Sequence, residues 1–94
     1  MTTIYGSRKE EWSKIILDFE RTHPNFTHEL LLRSTQLSPI ELKICIFARM
    51  NLSIKEIAIQ LGISNKSVQN HRTRIRKKLG VEHVSSLTSY LNGI

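Results

Sequence analysis

Between Lys66 and Lys78 the chain carries six basic residues (Lys66, Arg72, Arg74, Arg76, Lys77 and Lys78) and no acid, interleaved with Gln69, Asn70 and Thr73. Cations at this density attract phosphates, and amide and hydroxyl side chains can hydrogen-bond to base edges, so the run has the chemistry of a nucleic-acid contact. Helical spacing sharpens that reading, because residues advance by about 100° per position around a helix. With Val68 at the centre of the buried side, Ile75 and Leu79 fall beside it, and His71 and Arg72 flank the stripe. Gln69, Asn70, Thr73, Arg74 and Lys77, joined by Lys66, then point away. A face that only solubilises a helix more often alternates Glu with Lys. This one holds no acid.

The rest of the chain sets the run apart. The 94 residues have a net charge of +6, with an isoelectric point near 9.9. Residues 1–37 balance five Lys/Arg against five Asp/Glu, whereas residues 38–94 hold nine Lys/Arg against three Glu, so the whole excess lies in the second part. A solvated basic face or a contact with an anionic membrane would share this charge; the amides and hydroxyl among the cations are what favour reading DNA.

Other chemistries find little support. His23 and His28 are five apart and do not share a helical face, and no cysteine or carboxylate stands at metal-ligand spacing from them. His71 edges the apolar stripe and reads as a packing or phosphate-contacting residue, and nothing singles out His83. The single cysteine, Cys45, cannot form an intramolecular disulfide and lies in an apolar run, where it reads as a small buried hydrophobe. There is no glycine-rich phosphate loop and no nucleophile elbow, so neither an enzyme nor a bound metal or cofactor is expected. No stretch approaches the roughly 18 consecutive apolar residues of a membrane span. The opening MTTIYGSRKEEW lacks the apolar core of a signal peptide, which predicts a cytoplasmic chain.

The elements that must hold the basic run in place are marked by one device used three times. It reads Leu37-Ser38-Pro39-Ile40-Glu41-Leu42, then Leu52-Ser53-Ile54-Lys55-Glu56-Ile57, then Ile63-Ser64-Asn65-Lys66-Ser67-Val68. Each serine fits a helix N-cap, whose hydroxyl accepts from an otherwise orphan N–H of the first turn. Glu41 and Glu56 complete capping boxes, Ser67 forms a weaker version, and the flanking apolar pairs suit hydrophobic staples. Pro39 takes the first helical position, where a missing N–H costs nothing. Asn51, Gly62 and Gly80 mark the ends, since each tolerates the left-handed conformation that stops a helix.

These signals predict helices over about 39–50, 54–61 and 65–79, with only Gly62, Ile63 and Ser64 between the last two, the length of a helix-turn-helix turn. A further helix over about 84–92 would place Val84, Leu87, Tyr90 and Leu91 on one side. Upstream, Trp12, Ile15, Ile16 and Phe19 recur at helical spacing over about 8–22. Pro24 disfavours helical geometry at His23, and a short helix over 26–33 carries Leu30, Leu31 and Leu32. No alternating strand pattern occurs, so the class is all-α. Ninety-four residues make one compact domain with too few apolar side chains for two cores.

The stretch LSPIELKICIFARMNLSIKEIAIQLGISNKSVQNHRTRIRKKLGV closely resembles the LuxR/GerE family of helix-turn-helix domains. LSPIE matches at the first helix, NLSIKEIA at the scaffold helix, LGIS at the turn and SVQNHRTRIRKKLGV along the recognition helix. With the helix after Val81, the resemblance spans about 37–92. It implies a four-helix LuxR-type helix-turn-helix bundle (37–94) behind an N-terminal helical extension (1–36). It further implies a sequence-specific transcriptional regulator of double-stranded DNA, with 65–79 in the major groove, braced by 54–61. Gln69, Asn70 and Thr73 match the base-contacting positions, and Lys55, Ser64, Lys66 and Lys77, with Arg74 on the same outward face, would serve the DNA backbone. The family often dimerises through the last helix, whose small polar residues Ser85, Thr88, Ser89 and Asn92 would then meet a second copy on DNA.

Three positions depart from the family pattern. Asn51 stands where Gly is usual, and Arg49 where a small residue is usual. Leu42 and Ile46 are apolar where many members are polar, and being four apart they share a helical face that needs a cover. The segment EWSKIILDFERTHPNFTHELL would supply it, with Trp12, Phe19 and Phe26 as anchors. It also resembles, more loosely, the lead-in to output domains that follow a helical stalk and sensor modules. Two alternatives remain: the fourth-region domain of bacterial sigma factors, which binds promoter DNA through the polymerase, and a protein-interaction module that keeps the fold without DNA. The extended RIRKKLG end and the helix after Val81 disfavour the first, and the acid-free face disfavours the second.

Overall fold

The computed structural model describes the backbone of residues 9–83 and 86–94, and side chains from Lys14 onward within them. Six helices follow in order: α1 (Lys9–Thr22), α2 (Phe26–Arg33), α3 (Pro39–Arg49), α4 (Ile54–Leu61), α5 (Asn65–Leu79) and α6 (Leu87–Asn92). No strand occurs among the described residues, and no helix there is long and apolar enough to cross a membrane. The fold is all-α.

The starts of α3 and α4 follow their capping signals. Ser38 Oγ accepts from the Glu41 N–H at 3.3 Å while Glu41 Oε1 accepts from the Ser38 N–H at 2.7 Å. Ser53 and Glu56 repeat the exchange at 3.1 and 2.7 Å. After α3, Asn51 takes a left-handed φ of 67°, the conformation for which glycine is the usual choice. An asparagine pays only a modest steric penalty there.

Helix α3 sits at the centre of the molecule. Its residues Ile44, Cys45, Ile46, Phe47 and Ala48 are consecutive and all buried. Five successive positions cover every side of a helix, so α3 is enclosed all round in its second half. Helices α4, α5 and α6 pack directly on it. The remaining side is closed by the N-terminal helices, whose Ile15, Phe19, Phe26 and Leu30 join the same apolar core. Phe19 and Phe26 meet edge to face with ring centroids 5.3 Å apart, and His23 stacks on Phe19 at 4.6 Å. Ile46 is buried in this core, while Leu42 is half-buried against it. Arg49, the other departure from the pattern, is half-buried and donates to Asn92 Oδ1 at 3.5 Å. Arg33 donates to the Tyr90 hydroxyl at 3.2 Å and lies over its ring, tying α2 to α6.

Of the three leucines on α2 only Leu30 is buried; Leu31 and Leu32 face solvent, because an eight-residue helix packed on one side buries one stripe. The last α-helix is described over Leu87–Asn92, inside the expected 84–92. The side chain of Trp12, expected as an anchor, lies outside the described residues, as do Val84 and Ser85.

Candidate nucleic-acid interface

Helix α5 is aimed by the turn before it. Gly62 ends α4 at φ 68°, ψ 34°, and its N–H and that of Ile63 return to carbonyls of the last turn of α4. A Cβ at Gly62 would touch nothing within 4 Å, so the left-handed backbone rather than space requires glycine here. The chain then swings extended at Ser64, whose Oγ accepts from the Ser67 N–H at 3.0 Å. The reciprocal half of this third cap differs from the first two. Ser67 is too short to reach back to the Ser64 N–H, and the two hydroxyls pair instead at 3.2 Å.

Burial fixes the rotation of α5. Val68 and Ile75 are fully buried against the core that includes Ile57 and Ala58 of α4 and Ile44 of α3, and Leu79 is half-buried. Lys66, Gln69, Asn70, Arg74 and Lys77 are consequently exposed, and Thr73 is half-exposed between them. The Thr73 hydroxyl donates to the Gln69 carbonyl at 3.1 Å. Lys55, near the start of α4, and Ser64, at the cap of α5, are exposed as well. All eight residues expected to face DNA are thus at least partly accessible, and they lie on α4, the turn and α5.

The six cations of α5 do not act alike. Lys66, Arg74 and Lys77 have no hydrogen-bond or ion-pair partner among the described residues. Arg72 is half-buried, and burial lowers its pKa from the usual arginine value, with the neighbouring Cys45 opposing the shift. Its guanidinium stays a cation, but a half-buried one. The buried Cys45 thiol is itself pushed up to about 12, chiefly by burial, and so remains protonated and unreactive. Arg76 donates from Nη1 to the Val81 and Glu82 carbonyls at 2.9 and 3.0 Å, closing the C-terminal end of α5 after the left-handed Gly80. Lys78 reaches the start of α3, where Nζ donates to Glu41 Oε1 at 2.6 Å and to the Gln36 carbonyl at 2.9 Å. The basic stripe divides into three cations facing outward, a half-buried Arg72, and two, Arg76 and Lys78, that hold the helix.

The roles of Arg76 and Lys78 could not be read from charge. The one available signal is their spacing, since Lys78 follows the buried Ile75 by three positions and so lies over the core-facing side. Glu41 was legible as half of a capping box, but not as the acceptor of a residue 37 positions away. On α6, Leu87 and Leu91 are buried, Thr88 is half-buried, and Ser89 and Asn92 are exposed, with Asn92 already accepting from Arg49. Ser85, the fourth residue expected at a dimer contact, lies outside the described residues.

Residues 35–91 match the family model GerE, described as bacterial regulatory proteins of the luxR family. No curated protein and no solved structure matches the chain.

Proposed function

Because the chain belongs to the LuxR family of bacterial regulatory proteins, we propose that it controls transcription by reading a specific duplex site through α5. In this reading α5 lies in the major groove. Gln69, Asn70 and Thr73 meet base edges, and Lys55, Ser64, Lys66, Arg74 and Lys77 hold the phosphates that fix its register. A second copy binds the adjoining half-site through the exposed side of α6, at Ser89 and Asn92 with Thr88, and through Ser85 before it. Access to the chromosome puts the chain in the cytoplasm.

The observation that carries the proposal is the sorting of charge on α5. The outward face keeps an uncharged polar centre with cations around it that are unpaired among the described residues, while Arg72 is half-buried and Arg76 and Lys78 are bonded back to the protein. A helix whose only need was solubility would have no reason to sort them.

The test is a titration of duplex DNA with the full chain at stepped salt concentrations. Saturable binding is expected, with log affinity falling linearly in log salt at a slope of about −3.6 per domain if four cations each neutralise a phosphate. On a selected operator, two chains per duplex are expected, with half-sites about one helical turn apart. A chain that binds no duplex at low salt would overturn the reading. One chain per confirmed operator would remove its dimeric part.

A further inference from the structure

We infer that the groove-facing centre of α5 is built for A·T pairs, with Gln69 and Asn70 on adenine and the Thr73 methyl on thymine. This rests on the reading of α5 as a recognition helix and adds the bases it selects.

Three observations converge on it. The first is which groups are free. The side-chain amides of Gln69 and Asn70 are exposed and have no partner among the described residues, so each keeps both a donor and an acceptor. An amide of that kind matches the N6 donor and N7 acceptor that adenine shows in the major groove. The second is the hydrogen bond from Thr73 to the Gln69 carbonyl at 3.1 Å. It uses the hydroxyl proton and turns the hydroxyl back along the helix, leaving the methyl as the group offered to a base. The thymine C5-methyl is its natural neighbour in the groove.

The third observation is where the arginines are. Arginine is the commonest reader of guanine, yet Arg72 is half-buried and Arg76 is committed to the Val81 and Glu82 carbonyls. Arg74 is exposed with no partner among the described residues, one turn from Asn70 on the same outward face, where the reading of α5 assigns it to a phosphate. Distances along the helix agree with this division. Gln69 to Thr73 spans about 6 Å at 1.5 Å per residue, roughly two base-pair steps. Lys66 and Lys77 lie about 16 Å apart along the axis, beyond both ends of that reading segment, where they can meet phosphates.

The test selects duplexes bound by the full chain from a random library and then edits the selected site one atom group at a time. Two or three adjacent A·T pairs are expected in each half-site. Replacing adenine there by 7-deazaadenine, which keeps pairing but removes N7, should weaken binding about 5- to 100-fold. Replacing thymine by uracil, which removes only the methyl, should weaken it about fourfold. That fourfold effect should persist in Thr73→Val and vanish in Thr73→Ser. A specific site with G·C pairs at those positions, or one indifferent to both edits, would overturn the inference while leaving α5 as a DNA reader. Failure to select any site would overturn both.

Discussion

The Lys78 ammonium lies 2.6 Å from Glu41 Oε1, the same oxygen that accepts the Ser38 N–H at 2.7 Å. One carboxylate thus caps the start of α3 and anchors the end of α5. Glu41 is 3% exposed, and it is the buried charged residue of the described core. Its charge survives burial because both partners donate to it. Held this way, α5 is fixed near both ends, by the Ser64 cap at one and by Lys78 and Arg76 at the other.

That arrangement has a pH signature. Burial pushes the Glu41 pKa up, but the hydrogen bonds from Lys78 and Ser38 and the lysine charge outweigh it, and the net shift is downward. A depressed carboxylate contributes stability that is fully present above its unfolded pKa, about 4.3, and is lost as the pH falls through the lower folded value. The stability of Glu41→Gln relative to the parent should therefore improve steadily as the pH drops below about 4.5. At neutral pH, Glu41→Ala should cost about 2–4 kcal/mol, since it strands Lys78 and removes half a capping box. Urea titrations across pH 3–7 measure both. Parallel pH curves for parent and Glu41→Gln would show that the pair carries no such linkage.

The N-terminal helices should contribute to the stability of the whole. Phe19 and Phe26 are 4% and 3% exposed and pack against each other, so Phe19→Ala should destabilise by about 3–5 kcal/mol. Removing residues 1–33 should lower the melting temperature by uncovering Ile46 and its neighbours. An unchanged melting temperature after that deletion would mean that α1 and α2 merely rest on the core.

Labour along α5 can be separated by salt. Asn70→Ala should lose about 1–3 kcal/mol on the preferred duplex and relax the base preference beneath it, with little change in salt dependence. Lys66→Ala should weaken all duplexes alike and reduce the magnitude of the log–log salt slope by about 1 per site. Both variants are measured on specific and scrambled duplexes over one salt series. If Asn70→Ala weakened both duplexes equally, or Lys66→Ala affected only the specific one, the roles would have to be exchanged.

Arg76 supplies the opposite contrast. It is as cationic as its neighbours, but its guanidinium holds the Val81 and Glu82 carbonyls. Arg76→Ala should cost about 1–2 kcal/mol of stability through those lost hydrogen bonds and leave the salt slope where it was. A slope reduced as much as in Lys66→Ala would place Arg76 on the phosphates instead.

Much of this molecule is written in short stretches of chain. The three serine caps, Pro39, Gly62 and Gly80 specify the starts and stops of α3, α4 and α5 within a residue or so, because capping depends on backbone groups three or four positions away. The outward face of α5 was equally legible, since Val68 and Ile75 set its rotation and the helical period does the rest. Tertiary structure alone decided what the cations do. Lys78 and Lys77 are adjacent in sequence and identical in type, yet one pairs with Glu41, 37 residues away, and the other faces solvent. The enclosure of α3 was decided in the same way. Apolar Leu42 and Ile46 announce a missing cover, but which α2 leucine joins the core depends on how the helices meet: Leu30 is buried and Leu31 and Leu32 are not. Local hydrogen bonds reveal themselves in local sequence. A long-range pair does not, because its free energy depends on a neighbour that only packing brings close.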